Sequence, residues 1–82
     1  MSTFYGIKIT MNYHDHLPPH FHAEYQDYEV IVEIGTGSVT GKMPRRALSL
    51  IWTWLDEHHA ELVENWERAR RRQLLSPIDP LS

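Results

Sequence analysis

Residues 20–34 read His20-Phe21-His22-Ala23-Glu24-Tyr25-Gln26-Asp27-Tyr28-Glu29-Val30-Ile31-Val32-Glu33-Ile34. Phe21, Ala23 and Tyr25 fall on one side of a period-two pattern, with His20, His22 and Glu24 on the other. After Gln26-Asp27 the alternation resumes, with Tyr28, Val30, Val32 and Ile34 opposed to Glu29, Ile31 and Glu33. Period two with β-branched and aromatic residues marks half-buried strands. The shortest link is a hairpin with Gln26-Asp27 at its tip, although without glycine a longer or bulged turn is also open. The tight turn sets Tyr25 opposite Tyr28, Ala23 opposite Val30 and Phe21 opposite Val32. On the other face it sets His22 opposite Ile31 and His20 opposite Glu33. That register makes one face apolar and the other polar.

Upstream, Tyr5, Ile7, Ile9, Met11 and Tyr13 alternate with Gly6, Lys8, Thr10 and Asn12, which predicts one further strand over 5–13. Downstream, Gly35-Thr36-Gly37 is a turn and Ser38–Thr40 a short fourth strand. Pro44 then suits the first turn of a helix, where its missing N–H costs nothing. From Arg45 the period changes to about 3.6, carried by Leu48, Ile51, Leu55, Leu62, Trp66 and Ala69. The fold class is therefore α+β: a small antiparallel sheet of three to four strands with one long C-terminal helix packed on one face. A single domain spans 1–75 and an extended tail 76–82. A helix from Arg45 to Arg72 would be about 42 Å long, against about 30 Å for a domain of this size. It either overshoots by two turns or more or breaks near His58-His59; Trp66 lies in the overhanging part, and a homodimer that covers it is expected.

Composition narrows the function classes. The chain has 82 residues, 8 Lys+Arg, 11 Asp+Glu and a net charge of −3, which argues against a protein that coats nucleic acid. It has no cysteine, hence no disulfide, thiolate ligand or thiol nucleophile. No apolar run reaches the roughly 20 residues that span a bilayer, and no signal-peptide pattern opens the chain. A cytoplasmic protein is expected, without membrane contact.

Four of the six histidines lie between positions 14 and 22, around Leu17-Pro18-Pro19. His20 and His22 leave the same side of a strand. Three readings are open. The rings can decorate a solvated face. His14, His16, His20 and His22 with Glu33 can ligate a divalent transition metal, and nitrogen and oxygen donors do not choose among Zn, Ni, Cu and Mn. Or His20 and His22 can act as base and acid on a phosphodiester, with Lys8 steadying charge. Arg68, Arg70, Arg71 and Arg72 complement a helix C-terminus, with Glu64–Arg68 and Glu67–Arg71 at i,i+4 spacing; binding of RNA or an acidic partner is the less favoured reading. Arg45 and Arg46 sit at the helix end where cations are disfavoured, which makes them, with Trp66, candidates for binding a partner.

The pattern F-Y-G-I-x-I-x-M at Phe4–Met11, D-H-x-P-P-H-F-H at Asp15–His22, E-Y-x-x-Y-E at Glu24–Glu29, M-P-R-R-A-L at Met43–Leu48, E-N-W-E-x-A at Glu64–Ala69 and the closing P-x-x-P-L covers nearly the whole chain. It resembles a small bacterial domain-of-unknown-function family with an H-x-P-P-H-F-H signature, whose genes often neighbour another short uncharacterised family. Gln26-Asp27 departs from it, as relatives often carry glycine there, and so does the basic Arg70-Arg71-Arg72. The resemblance implies no established activity. It implies a toxin–antitoxin-like pairing, with a small partner protein encoded by a neighbouring gene, and marks Asp15, His16, His20 and His22 as signature positions. The expected function is a binding module presenting a histidine-rich polar sheet face, alone or loaded with metal. The alternative is a toxin–antitoxin-type ribonuclease using the histidines as acid and base.

Overall fold

The computed structural model describes residues 1–12 and 17–82. Five strands form one antiparallel sheet in chain order: β1 (Ser2–Phe4), β2 (Ile7–Thr10), β3 (His20–Tyr25), β4 (Tyr28–Glu33) and β5 (Val39–Lys42). Two helices follow, α1 (Arg45–Glu57) and α2 (His59–Arg70). The α+β class holds, with one strand more than expected and two helices where one was read.

The central hairpin has the register that alternation dictates, from Tyr25↔Tyr28 at the turn to His20↔Glu33 at the open end. Gln26 takes a positive φ of 53° to close the tight turn without glycine. The extra strand arises upstream. Alternation continues unbroken through Tyr5-Gly6, but these two residues adopt φ of 49° and 80°. Phe4↔Ile7 closes a two-residue turn around them, the primed geometry that matches strand twist. A period-two pattern cannot distinguish a strand from a hairpin whose turn holds two residues, because the parity survives the turn. In β5, Gly41 faces Val30 at φ 113°, and a Cβ there would lie 2.6 Å from the Glu29 carbonyl oxygen.

Ile7, Ile9, Phe21, Ala23, Val30 and Val32 point from the sheet into the core, where Ala47, Ile51, Trp54 and Leu55 of α1 meet them. Trp54 lies edge-on to Phe21 with ring centres 5.6 Å apart and against Phe4 at 5.4 Å. Aromatic pairs in such geometry add about 0.5–1.5 kcal/mol beyond their area burial. The helical stripe continues into α2 with Leu62, Trp66 and Ala69, all buried.

The long helix breaks at His58, which takes φ −118°, ψ 24° between α1 and α2. Neither proline nor glycine causes this. The His58 ring rests on Trp54, centres 5.6 Å apart, and its Nδ1–H donates to Glu61 Oε1 at 2.6 Å. The break lets α2 fold back within principal extents of 33 × 25 × 21 Å. Trp66 consequently does not overhang. It is 2% exposed within its own chain, so a second copy is not needed to cover it.

The tail is latched to the helices. Asn65 donates to the Ser76 carbonyl at 3.0 Å and accepts from the Ser76 N–H at 2.7 Å. Trp54 Nε1–H donates to the Asp79 carbonyl at 2.9 Å, and Ile78 joins the core. Arg68 pairs with Glu64 at 3.0 Å as its spacing dictates, while Glu67 pairs with Arg70 rather than Arg71.

Candidate functional site: the histidine corner of the sheet

The core takes one face of the sheet and leaves the other uncovered. Strand parity places three cross-strand rows on it. One runs Lys8–Glu24–Glu29–Lys42, the next Thr10–His22–Ile31–Thr40, and the third holds the pair His20–Glu33. Ile31, the apolar member of the middle row, is 36% exposed.

His20 differs from its row-mates. It shares their parity yet is only 5% exposed. Trp66 lies against its ring with centres 5.2 Å apart, and the His22 ring meets it edge-on at 5.4 Å. Its Nδ1 is 2.7 Å from the Pro18 carbonyl oxygen. A carbonyl only accepts, so Nδ1 carries a proton and donates it to Pro18. Pro19 anchors the same corner from the other side, its carbonyl accepting the Ile34 N–H at 2.9 Å. His22 is half-buried, and its Nε2 accepts from Asn12 Nδ2 at 3.3 Å. A cleft of about 290 Å³ opens here, lined by Pro18, His20, Ile31, Glu33, Ser38 and Thr40. The Ser38 carbonyl accepts the Glu33 N–H, and the Glu33 carbonyl accepts from Gly37, so the turn after β4 is held in shape.

The sequence-derived candidates separate accordingly. Glu33 is the cross-strand partner of His20, as the register requires, and the His22 ring meets that of His20. His14 and His16 lie outside the described residues. Among the described residues, no group of three or more His, Asp or Glu side chains gathers as metal ligands would. Lys8 lies one row from His22 and two rows, about 13 Å along the strand direction, from His20. Arg45 and Arg46 are exposed at the start of α1, whereas Trp66 is part of the core and offers a partner no surface. Its Nε1–H is buried without a hydrogen-bond acceptor among the described residues. Alternation gave no warning that His20 would be buried. The helical stripe contained the other half of that contact, but only the break at His58 brings Trp66 onto His20.

No helix among the described residues is long and apolar enough to cross a membrane. A family model described as a domain of unknown function matches residues 6–67. No curated protein matches the chain, and neither does any solved structure.

Proposed function

The chain belongs to that family, DUF4160, and we propose from its geometry that it is a binding module that docks a small protein partner on the uncovered face of its sheet. The observation that supports this most directly is the composition of that face. A lone exposed isoleucine lies between His22 and Thr40, bordered by charged residues on one side and the histidine cleft on the other. Glu24 and Glu29 stand directly opposite each other, an arrangement that is unfavourable in a sheet. Lys8 and Lys42 flank the pair across the strands, yet neither forms an ion pair within 4 Å to relieve a carboxylate among the described residues. A partner presenting a basic group at that point would do so, with Ile31 as the apolar anchor beside it. The fixed, buried His20 fits a scaffold that holds its corner in one shape, and this favours binding over turnover by an acid–base pair. A small protein encoded by a neighbouring gene is the partner to test. Co-expressed with it, the chain should co-elute as a stoichiometric complex by light scattering. Ile31→Asp should abolish the complex while leaving the circular dichroism spectrum intact. A complex that survives Ile31→Asp places the interface elsewhere and ends this reading.

One observation favours a second reading, in which the same corner holds a divalent transition ion. An imidazole donating its far N–H to a backbone carbonyl is oriented as metal-ligating histidines are. Two imidazoles bound at about 2.1 Å to one tetrahedral ion would have their ring centres about 5 Å apart, and His20 and His22 stand at 5.4 Å; the ion would take the place of the Asn12 amide at His22 Nε2. Saturating Zn²⁺ or Ni²⁺ would then raise the melting temperature, through a stabilisation of about 2.7 kcal/mol at a hundredfold excess over Kd. His22→Ala would remove the shift. An unchanged melting temperature at saturation eliminates the ion and leaves the protein-docking reading standing.

A further inference from the structure

At the opposite end of the sheet, the two tight turns and the start of α1 enclose a cleft of about 540 Å³ that the histidine corner does not share. Three tyrosines line it: Tyr5 from the first turn, and Tyr25 and Tyr28 from either side of the second. Tyr5 is 60% exposed and Tyr28 42%. None of the three rings stacks on another aromatic side chain, and none of their hydroxyls is hydrogen-bonded among the described residues. The backbone holds two of the lining residues in costly conformations. Tyr5 at φ 49° and Gln26 at φ 53° occupy the left-handed region, which is rare for a bulky side chain. Both turns would close more easily on asparagine or glycine. The single charge in the lining is Arg46. Arg68 and Arg70 are paired with glutamates, but Arg46 has no carboxylate within 4 Å, and no Asp or Glu lines the cleft.

Aromatic faces with open polar tips and one uncompensated guanidinium complement a flat ring attached to an anion. We propose that this cleft binds a nucleoside monophosphate unit, its base against the tyrosine faces and its phosphate on Arg46. Base–aromatic stacking tolerates any base, and the guanidinium fork matches phosphate oxygens. The acidic net charge of the chain disfavours general attraction of a polyanion, and the exposed Arg71 and Arg72 beyond α2 are the competing basic site that a control must exclude.

The test is titration of the intact protein with AMP and with UMP, followed by calorimetry and by tyrosine ring shifts in NMR spectra. Saturable binding is expected. Tyr28→Ala and Arg46→Ala should each weaken it about tenfold or more, with Arg46→Lys recovering part of the loss. Arg71→Ala, an exposed arginine outside the cleft, should change nothing. A short single-stranded oligonucleotide separates the sources: affinity equal to that of AMP indicates a free nucleotide, and much tighter binding indicates a strand. Absence of saturable binding in the folded protein overturns the proposal. So does equal weakening by Arg71→Ala, which would mean non-specific attraction, and so does a proline-rich peptide that binds the cleft and is not displaced by AMP.

Discussion

Replacing His20 with alanine removes a ring packed on Trp66 and leaves the Pro18 carbonyl without its donor. Cavity and lost hydrogen bond together are expected to cost about 2–4 kcal/mol. His22, two positions on, is half-buried rather than buried, and its Nε2 lies 3.3 Å from Asn12 Nδ2. His22→Ala should therefore cost less than about 1 kcal/mol. Urea denaturation of the two variants measures the difference directly. Equal losses would mean that the ring-on-indole contact contributes little. At this scale the sequence carried the pairing of His20 with Glu33, because antiparallel register is local arithmetic. It could not carry the burial of His20, which depends on a tryptophan more than forty positions away.

At the scale of elements, the first hairpin is where local preference and observed structure disagree. Tyr5-Gly6 fills a turn for which Asn-Gly is the preferred pair. Tyr5→Asn should relieve the left-handed strain and stabilise the protein by about 0.5–1 kcal/mol, read as a higher urea midpoint with an unchanged slope. If the tyrosine cleft binds a nucleotide, the same substitution should weaken that binding, the exchange expected where a strained residue is kept for function. The helices show the reverse relation. Their apolar stripe runs unbroken past His58, so periodicity reads one helix, while the size of the domain forbids it. The break falls where the His58 ring can rest on Trp54 and bond Glu61.

For the whole molecule, the C-terminal segment acts as a strap across both helices. Asn65 grips Ser76 from both sides, Trp54 donates to Asp79, and Ile78 fills the core beneath. Removing 75–82 exposes that apolar surface and orphans two buried side-chain groups, at an expected cost of about 3–5 kcal/mol. For a domain of this size that corresponds to a fall in melting temperature of roughly 15–30 °C. Asn65→Ala alone should produce a fraction of it, about 1–3 kcal/mol. A truncated protein that melts within a few degrees of the full chain would show the strap to be decorative. The sequence predicts an extended tail over 76–82, because prolines prevent regular structure there. Proline does not prevent packing, and the segment is held by side chains that lie far from it in the chain.

The amino-acid sequence by itself determined the class of fold, the register of the central hairpin, the start of the first helix at Pro44 and the face on which His22 emerges. Each follows from parity, period or a backbone constraint acting within a few residues. Only the tertiary structure decided that the first strand is a hairpin, that the helix breaks, that Trp66 turns inward onto His20, and that three tyrosines from two turns meet Arg46 in one cleft. Those outcomes depend on which distant surfaces exclude water from one another. Such contacts are fixed by the closure of the whole core, and no window of neighbouring residues contains them.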